Sequence, residues 1–240
     1  TNKKQIKYTI NLSDIFPSDA IVYNQQQHLS EDKTIPNAIF RSEDKSQDNI
    51  YVFDRGVQSR EQFLELDKKH YRFVTRLRIN AIHRVIKSNP IEKRLFVGNL
   101  EVISDEKVLL STGKGSMINH PFRLIKTINK NKKEFWFLTN QFDLSAETTI
   151  RAYRKRWDIE VFFRFLKQEM NVSHLISTNT NGIKVVLYMT LIASILVLVY
   201  KRLNNVGYKT AKRRFTIEMD DMIMIIVINL SGGDPNVVFR

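Results

Sequence analysis

The 240-residue chain contains no cysteine. That excludes disulfides, thiolate nucleophiles and cysteine-type zinc sites. Histidine is scarce too: His28, His70, His83, His120 and His174 are scattered, without metal-ligand spacing. No secretory n-region and h-region opens the sequence. No apolar run reaches the ~20 residues that a membrane-spanning helix needs. The nearest, Val185 to Tyr200, has 16 residues, is interrupted by Thr190 and Ser194, and is bounded by Lys184 and by Lys201 with Arg202. It reads as the central helix of a soluble domain, so no membrane partner is expected. An initiator Met is also lacking, and Thr1-Asn2-Lys3-Lys4 runs almost at once into a strand pattern. The expectation is a sequence that begins partway through a longer protein. Acidic residues are outnumbered, with 25 Asp plus Glu against 38 Lys plus Arg, a net charge of +13. Such an excess points to a polyanionic partner, nucleic acid or an anionic membrane surface.

What is present is a hydrophobic content of 42%, enough for a core, in a length that suits one large domain or a domain with an insertion. Residues 5–12 and 19–24 alternate or are β-branched and read as strands, separated by a turn around Pro17-Ser18. Residues 31–49 are polar and read as loop with, at most, a short helix. Ile50 to Phe53 is a compact apolar run, the mark of a strand buried on both faces, and it ends at Asp54-Arg55-Gly56. Ser59 and Gln62 resemble a capping box that opens a helix with Phe63, Leu64 and Leu66 on its core face. Tyr71 to Leu77 alternates again. A strand, a helix and a strand in this order suggest an α/β domain. Between about Asn80 and Asn140, short β-favouring runs alternate with turn signals at Asn89-Pro90, Gly113-Lys114-Gly115 and Asn129-Lys130-Asn131, which reads as a β-rich insertion. Ser145 with Thr148 and Thr149 starts a helical region, followed by helical stretches at 183–203 and about 208–229.

The first of these helical regions carries the most informative pattern. Tyr153, Arg156, Glu160 and Lys167 follow one another at spacings of three, four and seven. On one continuous helix they project within roughly 60° of each other, with Arg164 and Trp157 close by. Ile159, Phe162, Phe163, Phe165 and Leu166 cover most of the remaining circumference. A carboxylate ringed by cations and a phenol needs a polar surface to face, and a cleft binding phosphates and a metal supplies one. Asp54 stands where a strand meets a loop, the place where α/β sheets build sites. Carboxylates from distant segments can hold Mg²⁺, which prefers oxygen ligands and keeps positions open for water and phosphate. Each residue has a plainer alternative. Asp before Arg-Gly is ordinary turn chemistry, and Glu160 is suitably spaced to pair with Arg156 or Arg164.

The string YRKRWDIEVFFRFLK, Tyr153 to Lys167, resembles the Y-x2-R-x3-E-x6-K signature of the DDE transposases of bacterial insertion sequences. Asp54-Arg55-Gly56, followed by Phe63 and YRFVTRLR, resembles that family's segment around its middle catalytic Asp, so the likeness covers nearly the whole chain. It implies an RNase H-like α/β core with a β-rich insertion and C-terminal helices. The implied division is a first core part at 1–79, the insertion at 80–144, a second core part at 145–203 and a helical segment at 204–240. By the same resemblance Asp54 and Glu160 are the second and third catalytic acids and bind two Mg²⁺ ions, with Mn²⁺ as a substitute. Tyr153, Arg156 and Lys167 grip DNA phosphates, and Arg76 and Arg164 are further phosphate contacts from position. Trp136 could hold a flipped base, its alternative being a strand core residue. The family's first Asp has no match: Asp14 and Asp19 follow the first visible strand, and their flanks read as a turn. The implied activity is Mg²⁺-dependent cleavage and strand transfer at transposon ends, on double-stranded DNA, by a homodimer in the bacterial cytoplasm or nucleoid. This chain alone is expected to be incomplete. Open alternatives are a nuclease on the same fold, a non-catalytic basic DNA-binding protein and a membrane-associated protein anchored by Val185 to Tyr200.

Overall fold

The computed structural model describes residues 7–23, 30–41, 48–91, 94–112, 116–172 and 179–238. His28, His174 and the Gly113-Lys114-Gly115 turn lie outside these. Two compact units emerge: Thr1–Asn11 with Ser18–Ile159, and Leu12–Pro17 with Glu160–Arg240. The boundary between Ile159 and Glu160 falls inside a helix.

Strands β1 (Lys7–Ser13) and β2 (Phe16–Tyr23) form a two-stranded sheet. The turn lies earlier than Pro17-Ser18: Asp14 takes a left-handed conformation, φ 56°, which Asp tolerates better than most residues. Helix α1 (Glu31–Arg41) occupies the polar stretch read as loop. There follow β3 (Ile50–Val52), α2 (Arg60–Lys68), β4 (Arg72–Leu77), β5 (His83–Ser88), β6 (Phe96–Val97), β7 (Leu100–Ser111), β8 (Met117–Asn129) and β9 (Glu134–Thr139). These strands make one seven-stranded sheet in the order β3-β4-β9-β8-β7-β5, with β6 also on β7. Only β3 and β4 run parallel, joined through α2; the other pairings are antiparallel. The mixed sheet with helices agrees with the RNase H-like α/β core implied by the sequence. The β-rich stretch widens that same sheet.

Alternation along the strands sorts the core into two clusters. Phe73 and Leu77 of β4, Phe122 and Leu124 of β8 and Leu138 of β9 join Phe63 and Leu66 of α2 and Ile39 of α1. Their opposite neighbours, Val74, Ile125 and Phe137, join Ile150 and Tyr153. The period of two places α1 and α2 against one face and the helix carrying Tyr153 against the other. Phe63, Phe73 and Phe122 are fully buried, and each contributes about 1.5–3 kcal/mol by leaving water. β3 differs from expectation. It is half-buried rather than enclosed on both faces, since β4 is its one partner among the described strands.

Helix α3 (Ala146–Arg154) begins at Ser145, whose hydroxyl accepts the Thr148 N–H at 3.0 Å. Helix α4 (Arg156–Gln168) follows after a break at Lys155. The sequence suggested one helix from Tyr153 through Lys167; there are two. Around the break the N–H of Lys155 bonds the carbonyl of Ala152 at 3.0 Å, and that of Asp158 bonds Lys155 at 2.9 Å. These are three-residue steps that tighten the chain locally.

In the second unit, α5 (Thr180–Asn204) and α6 (Tyr208–Leu230) are joined by a turn in which Asn205 takes φ 49°. α5 extends beyond the apolar run and becomes long and apolar enough to cross a membrane by length and composition, with a third of its most apolar window buried.

The junction before α3 is fixed by an ion pair. Arg123 of β8, 5% exposed, meets Asp105 of β7 in two parallel bonds, Nε to Oδ1 at 2.9 Å and Nη2 to Oδ2 at 2.6 Å. Its Nη1 donates to the carbonyls of Gln141, at 3.3 Å, and Leu144. Arg123→Met strands a buried carboxylate and is expected to cost about 3–5 kcal/mol. Asp105→Leu combined with Arg123→Met should recover part of the loss, as read by urea denaturation.

Candidate active site

The loop after β3 is held from several directions. Asp54 is exposed, and one oxygen of its carboxylate accepts the Gly56 N–H at 2.8 Å, a local turn bond. The Thr75 hydroxyl donates to the Phe53 and Asp54 carbonyls, both at 3.1 Å, tying the strand end to β4. Gln58 bridges back to the same strand, donating to the Arg76 carbonyl at 3.2 Å and accepting from the Arg78 N–H at 3.3 Å. Asp32 of α1 accepts the N–H groups of Gln58 at 2.6 Å and Ser59 at 2.8 Å. The expected capping box is therefore half made. The Ser59 hydroxyl accepts from the Gln62 N–H at 3.4 Å, while Asp32 takes the Ser59 N–H that a box would give to residue 62.

Arg76 lies on the α3 face of the sheet, opposite Phe137, with its guanidinium 4.7 Å from the centre of the Phe135 ring. Among the described residues its buried Nε–H has no hydrogen-bond acceptor. A buried donor left unmade costs about 1–3 kcal/mol. Tyr153 packs on the same face, its ring edge-on to Phe137 at 5.2 Å. Arg156 stands 5.7 Å from the Tyr153 ring and donates to its phenol oxygen. Burial raises the phenol above its ordinary value near 10, Arg156 and Arg76 pull it back down, and Asp54 reinforces the rise. The charges of Asp54, Arg76 and Arg156 are thus all felt at the Tyr153 hydroxyl, and they come from three separate segments of the first unit.

Glu160, in the second unit, is half-buried on α4, one turn beyond Arg156. Arg164 and Lys167 are exposed on the same stripe of that helix, and Trp157 beside it is 53% exposed. Trp136 is elsewhere. It lies on β9 facing the α1 and α2 side of the sheet, half-buried against that cluster. Its indole N–H donates to Glu134 at 2.9 Å, His83 meets it edge-on at 5.2 Å, and the Lys126 ammonium is 5.0 Å from its ring. Its place on the face opposite Arg76 and Tyr153 favours the core alternative.

Asp54 offers a carboxylate oxygen, the donor type Mg²⁺ takes, and Mg²⁺ is commonly held by one or two carboxylates with water and phosphate filling the rest. Among the described residues no cluster of three or more His, Asp or Glu forms a metal cage. His83 and His120 have other partners: the His83 Nδ1 lies 2.9 Å from the Ala81 carbonyl, and His120 bonds Asp67 at 2.8 Å. Sequence reasoning missed Asp32 and Gln58, which hold the Asp54 loop. Nothing in a polar stretch marks a capping acid whose partners lie 26 and 27 residues onward.

The family described as the transposase DDE domain matches residues 26–196, and the chain belongs to that family. It is 27% identical over 156 residues to a candidate transposase of Sinorhizobium fredii, covering 65% of this chain and 44% of that protein. It is 26% identical over 193 residues to a candidate insertion-sequence transposase of Synechocystis, covering 77% and 49%. A candidate insertion-sequence transposase of Geobacillus stearothermophilus is 31% identical over 148 residues, covering 61% and 38%. The chain thus spans less than half the length of these relatives. No solved structure matches it significantly.

A raised phenol pKa means that the folded state holds the Tyr153 proton more tightly than the unfolded chain does. The associated stability is complete below the ordinary tyrosine range and is lost as pH rises through the folded value. Tyr8 and Tyr200 are raised as well, so phenolate absorbance should show a late-titrating fraction to which three phenols contribute, and Tyr153→Phe should lower the amplitude of that late phase.

Proposed function

We propose that the chain is part of the catalytic domain of an insertion-sequence DNA transposase, and that it binds transposon-end DNA through the Asp54, Arg76, Tyr153 and Arg156 neighbourhood. The observation that carries this reading is the convergence of those four residues in a member of the DDE family. The net charge of +13 supports a polyanionic ligand.

Each side chain has a task. Arg76 offers the accessible part of its guanidinium to a phosphate oxygen. Arg156 holds the Tyr153 phenol oxygen, which leaves the phenol hydrogen to donate to another. Arg164 and Lys167, farther along α4, take flanking phosphates. Asp54 and Glu160 would hold Mg²⁺, with Mn²⁺ as substitute. When bound, such ions activate an attacking oxygen and stabilise a leaving one. The whole transposase would cut the end phosphodiester and join the freed 3′-hydroxyl to target DNA, working as a homodimer inside the cell.

A second reading is a chain that grips DNA ends without cutting them; it is favoured by the lack of a three-carboxylate cluster among the described residues. Fluorescence anisotropy with a labelled duplex should show affinity falling steeply with salt. Arg156→Ala, Lys167→Ala and Arg76→Ala should each lower the salt slope by about one. Unchanged binding in all three would defeat the proposal. Glu160→Gln should leave DNA affinity within about twofold and abolish Mg²⁺ binding by calorimetry; Mg²⁺ binding that persists unchanged selects the second reading.

A further inference from the structure

Helix α5 has two unlike faces. Ile183, Leu187, Leu191, Ser194, Val197 and Leu198 are buried. On the other side Val185, Met189, Ile192, Leu196, Val199 and Leu203 are exposed, at 61, 63, 55, 49, 43 and 80%. Their spacing is four, three, four, three, four, the alternation of a coiled-coil seam sustained over the whole helix. Thr190 and Ser194 do not interrupt it, since their hydroxyls turn back onto the helix carbonyls of Val186 and Leu191.

We propose that this seam is a self-association surface on which α5 pairs antiparallel with α5 of a second copy of the chain. Three features select that occupant. Together with Tyr188 the seam exposes roughly 700 Å², so pairing removes roughly 1,400 Å² from water, within the range of specific interfaces and above what monomers usually leave bare. Antiparallel overlap centred on Ser194 sets Val185 opposite Leu203, Met189 opposite Val199 and Ile192 opposite Leu196. Every layer then joins a β-branched side chain to one that is not branched at Cβ. A parallel pair would instead stack like on like and set the two Lys201-Arg202 steps side by side. The residues flanking the seam along its middle, Val186, Ala193, Ile195 and Tyr200, carry no charge.

A lipid bilayer would meet the same stripe on a helix packed in a bundle, so lipid vesicles form one arm of the test. The second half of α6 also exposes apolar side chains, Met222 to Val227, but on every side, so no face is singled out. The pairing rests on α5 alone and stands or falls apart from the DNA reading. It instead deepens the expectation of a homodimer by naming its surface.

The test uses the 240-residue chain in sedimentation velocity without detergent. A dimer is expected, strengthened by salt because each copy carries +13, the opposite of the salt effect on DNA binding. Ile192→Lys with Leu196→Lys should raise the dimer dissociation constant about a hundredfold or more, with helical content unchanged by circular dichroism; Ile217→Lys should leave it within about twofold. The absence of native cysteine provides a second readout that survives poor folding of the lysine variant. A mixture of Val185→Cys and Leu203→Cys chains should cross-link on oxidation, and neither should do so alone. A monomer at micromolar concentration, recovery only with phosphatidylcholine vesicles, a dimer indifferent to the lysines, or cross-linking by Val185→Cys alone would each overturn the proposal.

Discussion

Arg123 meets four acceptors at once: two oxygens of Asp105 and the carbonyls of Gln141 and Leu144. The first pair joins neighbouring strands, and the second anchors the segment leaving β9 just ahead of α3. Burial makes the arrangement all-or-none. In water a guanidinium finds partners anywhere, but a desolvated one must find them where the fold provides them. The junction thereby holds the segment from which α3 departs, upstream of Tyr153 and of α4. The chemistry proposed for the first unit therefore depends on a group that takes no part in it.

The side of the sheet that carries the proposed site follows from strand periodicity. Asp54, Arg76 and Tyr153 belong to the α3 side, while Phe63, Phe73 and Phe122 fill the opposite one. Two layers divide the labour. One supplies a close-packed aromatic cluster, with Phe63 and Phe73 stacked at 5.6 Å. The other carries charge and keeps it near the sheet by cation-to-ring contacts, as between Arg76 and Phe135.

Much of this was legible in the residues themselves. The Tyr-Arg-Glu-Lys spacing identified the helical region, the apolar run ending at Asp54 located a strand end, and the Ser145 cap was readable from Thr148 and Thr149. Three things were not. The break at Lys155 carries no Gly or Pro, so nothing local announces it. β3 reads as an enclosed strand because its composition reports hydrophobicity and not the number of neighbours. Asp32 acts across 26 residues of chain, a separation at which helical and strand periodicities carry no information.

The turn bond between Asp54 and Gly56 has an implication for how a ligand is met. One carboxylate oxygen is already engaged by a backbone N–H, so the side chain is denied the free swivel of a surface aspartate. The remaining oxygen is offered along a direction set during folding, and the entropy of aiming it has been surrendered before anything arrives. Such a group greets a visitor with one fixed fingertip in place of an open hand.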